Sequence, residues 1–249
     1  MKGIPDNYID LTVTSPPYDN LRDYKGYTFN FKGIANELYR ITKKGGTIVW
    51  VVGDKTINKN KSLTSFRQAI YFQEIGFKIY DILIYEKTGT GPPHPNRYFN
   101  AFEYMFVITK GDIKTVNLLK DKLNKWGGKY TFSNVTRREK DGTLTDKGKK
   151  LINKYGVRTN IWKYTNGKSF STKDNIAYNH PAIFPEKLVR DNIRSWSNDG
   201  DVILDPMCGS GTTCKMAKIL GRKYIGIDIS EEYCEIARNR IKAIPELLF

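Results

Sequence analysis

The chain has 249 residues, including 41 Lys or Arg and 26 Asp or Glu, so its formal net charge is +15. This length suits one large α/β domain with an insertion, which we prefer to two smaller domains. The excess of positive charge indicates a polyanionic partner such as nucleic acid, and a basic protein without such a partner is the alternative. Three cysteines and two histidines disfavour a disulfide-stabilised scaffold and a zinc site.

Apolar runs typical of strands alternate with helical patterns along most of the chain. This alternation predicts an α/β fold with a doubly wound, mostly parallel sheet. The first strand spans residues 9–14, and the next helix is expected to stop at Gly45 and Gly46 before a strand over 47–52. The later predicted elements are a helix over 64–74, an antiparallel pair of strands over 77–85 and 101–109, a helix over 185–195, a strand over 201–204, a helix over 212–220, a strand over 223–229 and a helix over 231–244.

Between residues 112 and 170 the periodicity fades and positive charge accumulates. This stretch holds 15 Lys or Arg and five acids, so its net charge of +10 is two-thirds of the total. Aromatic residues that could stack on bases are interleaved with the charges: Trp126, Tyr130, Phe132, Tyr155, Trp162 and Tyr164. We predict an insertion that grips a duplex, between the two parts of the α/β domain at 1–111 and 171–249. A solvated loop is the alternative.

A predicted strand near the end of the chain runs into a glycine turn and then a helix. Glycines let the backbone pass close to a ligand, and the first turn of a helix offers unpaired N–H groups. The turn is therefore a candidate cofactor site. Its candidate binding residues are Asp205, Pro206, Gly209, Ser210, Gly211 and Thr212.

Two features of this turn favour S-adenosyl-L-methionine over a dinucleotide. Asp205 would repel a pyrophosphate but attract a methionine ammonium group, and the turn has two glycines where the dinucleotide motif has three. Asp228 ends the next strand, 19 residues after Gly209, where its carboxylate can accept both ribose hydroxyls. A cap of the following helix is the alternative role for Asp228.

The segment Ser15-Pro16-Pro17-Tyr18 follows the first predicted strand, at the sheet edge where open α/β folds bind ligands. Consecutive prolines fix the backbone and lack N–H groups, so the neighbouring carbonyls can point rigidly into a cleft. The Ser15 hydroxyl and the Pro16 carbonyl suit an exocyclic amine, and Tyr18 offers a ring to stack on a base. Alone, such a string is typical of a turn. Because the chain also contains the candidate cofactor turn, we favour a base-binding site over a plain turn.

Together these motifs resemble those of the amino-group DNA methyltransferases, in the permuted class that has the catalytic motif before the cofactor motif. Residues 14–18 are similar to the catalytic motif, 205–213 to the cofactor loop and Asp228 to the ribose-binding acid. Residues 180–185 are similar to the segment that packs on the donor, which implies that Phe184 lies near the cofactor. The likeness covers nearly the whole chain, with the basic stretch 112–170 at the place of the target-recognition region.

The resemblance implies methyl transfer from S-adenosyl-L-methionine to the exocyclic amine of a flipped base in double-stranded DNA, by direct attack of the amine. The chain has no Pro-Cys dipeptide, which disfavours enzymes that methylate a cytosine ring carbon through a cysteine nucleophile. Ser15 favours cytosine N4, because serine is commoner there among the cytosine enzymes of the family, whereas aspartate is commoner among the adenine N6 enzymes. The alternatives are an adenine N6 enzyme, an RNA methyltransferase and a catalytically impaired DNA-binding protein of the same fold.

Related permuted enzymes usually begin with one more strand, which ends in an acid, ahead of the stretch similar to residues 3–7. We therefore expect either a sheet that lacks this edge strand or a strand from another source, such as a homodimer partner. His180 is interpreted as a residue that orders the turn before Pro181, with a catalytic base as the alternative. We expect a cytoplasmic protein of a prokaryotic cell, since the chain has neither a long apolar run nor a signal-peptide pattern.

Overall fold

The computed structural model describes residues 1–17, 29–89 and 95–245 as an alternation of strands and helices. In chain order the strands are β1 (Ile9–Thr14), β2 (Thr42–Val52), β3 (Thr56–Ile57), β4 (Asn60–Lys61), β5 (Lys78–Lys87), β6 (Phe102–Thr109), β7 (Lys122–Leu123), β8 (Thr136–Arg138), β9 (Leu144–Asp146), β10 (Tyr155–Gly156), β11 (Ile161–Tyr164), β12 (Val202–Asp205) and β13 (Lys223–Gly226). The α-helices are α1 (Phe31–Ile41), α2 (Thr64–Glu74), α3 (Glu186–Trp196), α4 (Thr212–Ile219) and α5 (Glu231–Lys242), and a 3₁₀ helix spans Asn175–Asn179. Within these ranges no helix is long and apolar enough to cross a membrane.

One sheet joins strands from both ends of the chain, in the spatial order β11, β5, β6, β2, β1, β12 and β13. β6 runs antiparallel to both of its neighbours, β5 and β2, and the other adjacent pairs are parallel. The central strands β1 and β12 are buried almost throughout, as expected of parallel strands covered on both faces. This architecture confirms the predicted α/β fold with a mostly parallel sheet and an antiparallel strand pair.

An aromatic cluster packs α1 and α2 against the sheet. Phe31 on α1 and Phe72 on α2 meet edge to face with ring centroids 5.4 Å apart, and Trp50 on β2 lies 5.2 Å from Phe72. The buried indole N–H of Trp50 donates to Gln68 Oε1 at 2.8 Å, so the one polar atom of this ring is satisfied. Burying each such ring contributes about 1.5–3 kcal/mol. The cluster therefore holds α1 and α2 against β2, which pairs with β1.

The glycine pair after α1 has a different role from the predicted one. The helix ends at Ile41, four residues before Gly45, so the expected glycine stop is wrong. The chain enters β2 directly at Thr42, and the pairing of β2 with β1 then shifts register between Ile9 and Leu11. Gly45 has φ +84° and donates its N–H to the Lys110 carbonyl at 2.7 Å. The glycines thus form a bulge within a strand.

Residues 118–159 form a compact unit distinct from the unit of residues 1–117 and 160–249. Short antiparallel pairs, β7 with β10 and β8 with β9, hold it together. Its 12 Lys or Arg against four acids make it strongly basic. The unit is narrower than the predicted range 112–170, because β11 pairs with β5 in the large sheet. The limits 112–170 remain a prediction for the target-recognition region.

Candidate active site

Two neighbouring strands bring the two sequence motifs together. β1 and β12 pair in parallel, with Leu11 opposite Ile203 and Thr12 opposite Leu204, so both strands end at the same edge of the sheet. At that edge the Thr14 hydroxyl donates to Asp205 Oδ1 at 2.8 Å. The Thr213 hydroxyl, at the start of α4, donates to the Val13 carbonyl at 3.1 Å. The ends of the first motif and of the cofactor turn are therefore tied directly to each other.

A cavity of about 1000 Å³ opens at this edge of the sheet. Most of the predicted site residues line it: Ser15, Pro16, Pro17, Phe184, Asp205, Pro206, Gly209, Ser210, Thr212 and Asp228. Gly211 is not among its lining residues in the described part of the chain. Tyr18, the expected stacking residue, lies outside the described residues. The cavity thus contains both the Ser-Pro-Pro segment and the two acids.

Asp205 is buried at the floor of this cavity, with 4% of its surface exposed. Its Oδ1 accepts the Thr14 hydroxyl and, at 3.2 Å, the backbone N–H of Met207. Burial raises the pKa of Asp205 to about 6, although the hydrogen bond from Thr14 acts in the opposite direction. A buried carboxylate held this way is stabilised by a cation, and a ligand ammonium group could provide one.

Asp228 lies beyond the end of β13, on the same cavity. Its Oδ2 accepts the N–H of Gly209 at 2.8 Å and its Oδ1 accepts the N–H of Ser230 at 3.0 Å. Each carboxylate oxygen has a second lone pair, so both remain able to accept a ligand hydroxyl. Ser230 is the residue that precedes α5, so these hydrogen bonds join Asp228 to the cofactor turn and to the start of that helix.

Protein packing explains the two glycines of the cofactor turn. Gly209 has φ +48°, and a Cβ there would lie 2.6 Å from His180 Nε2. Gly211 has φ +76°, and its Cβ would lie 2.5 Å from the Cβ of Ala237 on α5. Both positions therefore need glycine for backbone conformation and for space. Gly209 lines the cavity and Gly211 faces α5, and the expected close approach of the backbone to a ligand stays a prediction for both.

The segment before α3 carries His180 and Phe184 to the cavity. His180 is buried, and its Nδ1 lies 2.7 Å from the Ala182 carbonyl oxygen and 3.1 Å from the Ala182 nitrogen. Its ring packs against Tyr233 of α5 with centroids 4.4 Å apart. These contacts agree with the interpretation that His180 orders the turn around Pro181.

Sequence reasoning missed many residues of the cavity. Apolar and aromatic lining residues around the two acids are Ile183, Met207, Ile227, Ile229 and Tyr233. Ile227 and Ile229 flank Asp228, and this spacing could have identified them as walls for a flat ring. Polar lining residues from other strands and loops are Asp54, Tyr85, Lys87, Asn100, Glu103 and Asn166. They belong to no motif. Asp54 follows β2, and the pairing of β5, β6 and β11 brings the other five to the cavity.

The donor set of the cavity fits S-adenosyl-L-methionine better than a dinucleotide. Asp205 offers a buried negative charge where a pyrophosphate would be repelled, and Asp228 offers carboxylate oxygens for hydroxyl groups. Apolar side chains next to Asp228 provide surfaces for an aromatic base. Sheet order and cavity together define the Rossmann-like methyltransferase class of α/β proteins.

Comparisons with known proteins agree with this class. The model of the DNA methylase family matches residues 9–239. The chain is 54% identical over 242 residues to the orphan methyltransferase M.BamHII of Bacillus amyloliquefaciens, covering 97% of this chain and 91% of that relative. It is 30% identical over 253 residues to the type II methyltransferase M.HpaI of Haemophilus parainfluenzae, covering 97% of this chain and 70% of that relative.

Solved structures show the same fold. The PvuII DNA methyltransferase (cytosine-N4-specific) has a TM-score of 0.69 at 19% identity, over 100% of this chain and 84% of that one. The M1.HpyAVI–SAM complex has a TM-score of 0.61 at 21% identity, over 94% of this chain and 89% of that one. The chain belongs to the DNA methylase family, which confirms the family resemblance of its motifs, whereas the permuted class stays a prediction. It is an S-adenosyl-L-methionine-dependent DNA methyltransferase.

Proposed function

We propose that this enzyme methylates N4 of a flipped cytosine in double-stranded DNA, with adenine N6 as the second candidate. One observation carries the proposal: Ser15 and Pro16 line the same cavity as Asp205 and Asp228. The groups that could accept hydrogen bonds from an amine therefore line the same cavity as the candidate site for the methyl donor. Serine at position 15 favours cytosine, because serine is commoner there among the cytosine enzymes of the family.

In the proposed reaction the chain's own residues orient the two reactants. When bound, S-adenosyl-L-methionine supplies a methyl group activated by its sulfonium. The Ser15 hydroxyl and the Pro16 carbonyl would accept the two N–H groups of the target amine, which makes its nitrogen lone pair more nucleophilic. Asp205 would hold the ammonium group of the donor, and Asp228 its ribose hydroxyls. The donor would leave as S-adenosyl-L-homocysteine, and the surplus proton of the methylated amine would leave to water. No covalent bond between the enzyme and the base is needed.

We further propose that the basic unit 118–159 binds DNA. The ammonium groups of Lys125 and Lys129 lie over the Trp126 ring, 5.4 and 5.3 Å from its centroid. Phe132 meets Trp126 edge to face at 5.7 Å, and 83% of the Phe132 surface is exposed. Exposed rings next to cations suit a surface that contacts both phosphates and bases.

We also propose an oligomeric state and a cellular location. β13 ends the sheet in the described part of the chain, and a strand from a second copy could pair with its free edge, which would give a homodimer. A cytoplasmic location in a prokaryotic cell would give the enzyme direct access to its DNA substrate.

The nature of the product tests the main proposal. Purified enzyme is incubated with methyl-labelled donor and double-stranded DNA of mixed sequence, and the DNA is then digested to nucleosides. We expect labelled N4-methyldeoxycytidine, and none with Ser15→Ala if the label comes from this site. Labelled N6-methyldeoxyadenosine would establish the second candidate instead. No labelled nucleoside from the DNA, or label that enters only RNA in a parallel reaction with RNA, would contradict both.

Donor affinity is expected to rise with pH through about 6 and then to level off. Below the raised pKa of Asp205 its carboxyl is protonated and no longer attracts an ammonium group. Binding a cation favours the charged carboxylate, so donor binding lowers this pKa and releases protons near it. Calorimetry in two buffers of different ionisation enthalpy measures that release. Asp205→Asn is the control and should release none, and equal release by both proteins would refute this assignment.

A further inference from the structure

Arg240 of α5 lies at the centre of a charge cluster, which we call the Arg240 cluster and define as Arg240, Lys215, Asp174 and Glu186. The Arg240 side chain is 0% exposed. Its Nε donates to Asp174 Oδ2 at 2.9 Å and its Nη2 to Glu186 Oε1 at 2.8 Å. Lys215 Nζ donates to the same two oxygens, each at 2.7 Å. Two cations thus balance two carboxylates, and the partly exposed Asp174 and Glu186 supply the partners that a buried Arg240 needs.

Arg240 also contacts the cofactor turn with the other arm of its guanidinium. Nη1 donates to the Ser210 carbonyl at 2.5 Å and to the hydroxyls of Ser210 and Thr212, each at 3.1 Å. Nη2 donates in addition to the Thr172 hydroxyl at 3.3 Å. A planar guanidinium can serve acceptors on two sides at once. One side chain therefore fastens the turn to the segment that precedes α3.

These contacts connect two separate parts of the cavity lining. Ser210 and Thr212 line the cavity from the cofactor turn, and Phe184 lines it two residues before Glu186. The structure describes all four residues of the Arg240 cluster, and none of them lines the cavity. The cluster therefore acts on a bound molecule only through the residues that it holds.

We propose that Arg240 is a positioning residue for the methyl donor, because it fixes the cofactor turn relative to the segment that carries Phe184. This inference rests on the proposed function and extends it to a residue outside the cavity. Without Arg240 the turn and the segment would be free to shift relative to each other. The donor would then bind less tightly, while the contacts with DNA would be unchanged.

Arg240→Lys separates this role from a purely structural one. Lysine keeps the positive charge beside Asp174 and Glu186, but its single ammonium cannot also reach the Ser210 carbonyl. We expect the dissociation constant of S-adenosyl-L-homocysteine, measured by calorimetry, to rise roughly 10- to 100-fold, which is the size of effect that the loss of one buried hydrogen bond has. The KM for the donor should rise with it, whereas kcat at saturating donor and the KM for DNA should change little.

The matched control is Arg238→Ala on the same helix. Arg238 is exposed and pairs only with Glu231 and Glu235 among the ion pairs of the described residues, so its loss should leave donor binding unchanged. If Arg240→Lys does not fold, Thr172→Val is the substitute, because it removes the hydroxyl that accepts from Nη2 of Arg240. It should weaken donor binding several-fold. Wild-type protein that binds no donor would refute the proposed function itself. Wild-type affinity in the folded variants, or a fall in kcat alone, would overturn the role of Arg240.

Discussion

Asp205→Asn is expected to weaken binding of S-adenosyl-L-methionine by roughly 2–5 kcal/mol, which is the cost of removing one partner from a buried pair of opposite charges. The asparagine keeps an oxygen that can accept the Thr14 hydroxyl and the Met207 N–H, so the local backbone should not change. Only the charge is lost. Titration calorimetry with the donor measures the effect directly.

The same substitution is expected to leave the folded protein at least as stable as the wild type. Burial raises the pKa of Asp205 to about 6, so above this pH the folded protein holds a charge that costs more than it does in the unfolded chain. The amide removes this cost. Between about 6 and the ordinary value of 3.8, the folded wild type takes up the proton and the advantage of the variant fades. Urea unfolding above and below the pKa should therefore show a difference that disappears at low pH.

A suitable control is Asp191→Asn on α3, since Asp191 is as buried as Asp205 but accepts the Tyr164 hydroxyl away from the cavity. That change should lower stability without altering the affinity for the donor. If Asp205→Asn bound the donor as tightly as the wild type, Asp205 would not be the partner of the ammonium group.

Gly211→Ala is expected to lower the free energy of unfolding by roughly 2–5 kcal/mol, through the left-handed backbone and overpacking together. The added methyl group would lie 2.5 Å from the Ala237 Cβ and 2.9 Å from its Cα, and the backbone of α5 cannot rotate away as a long side chain could. Urea unfolding followed by circular dichroism measures the loss.

Gly221→Ala provides the matched comparison. Gly221 has φ +71°, close to the +76° of Gly211, but a Cβ there would meet nothing within 4 Å. It should cost only the roughly 1–2 kcal/mol of a left-handed alanine. Equal losses in the two variants would show that α5 yields to the added methyl group, and that backbone conformation alone requires the glycine.

The meeting of Ser15 and Asp205 could be predicted from the sequence, because each ends an apolar strand and parallel strands present their ends at one edge of a sheet. The basic stretch was also visible as charge density. By contrast, the sequence placed the end of α1 at Gly45, where the structure has a bulge in β2. A glycine pair indicates a break in regular structure but does not tell a helix end from a strand bulge.

Other parts of the site depend on contacts that local patterns do not encode. Lys87 and Glu103 pair at 3.0 Å on the antiparallel strands β5 and β6, and both line the cavity, yet neither belongs to a motif. Arg240 lies 68 positions from Thr172 and 30 from Ser210. The helical pattern of α5 does not depend on which large residue stands at position 240, so it does not predict the contacts of Arg240. Only the structure shows that the Arg240 guanidinium contacts the cofactor turn, the segment before α3 and the first residue of α3.

The pairing of β1 with β12 also has a consequence for how the protein is made. Thr14 and Asp205 are 191 positions apart, so a ribosome completes β1 long before it synthesises β12. During that interval β1 can pair on one side only, with β2. The amino-terminal part of a growing chain can begin to collapse around its own core. A chain released before β12 is synthesised would carry Ser15 and Pro16 but neither acid of the proposed donor site, so we expect methyl-transfer activity only late in translation.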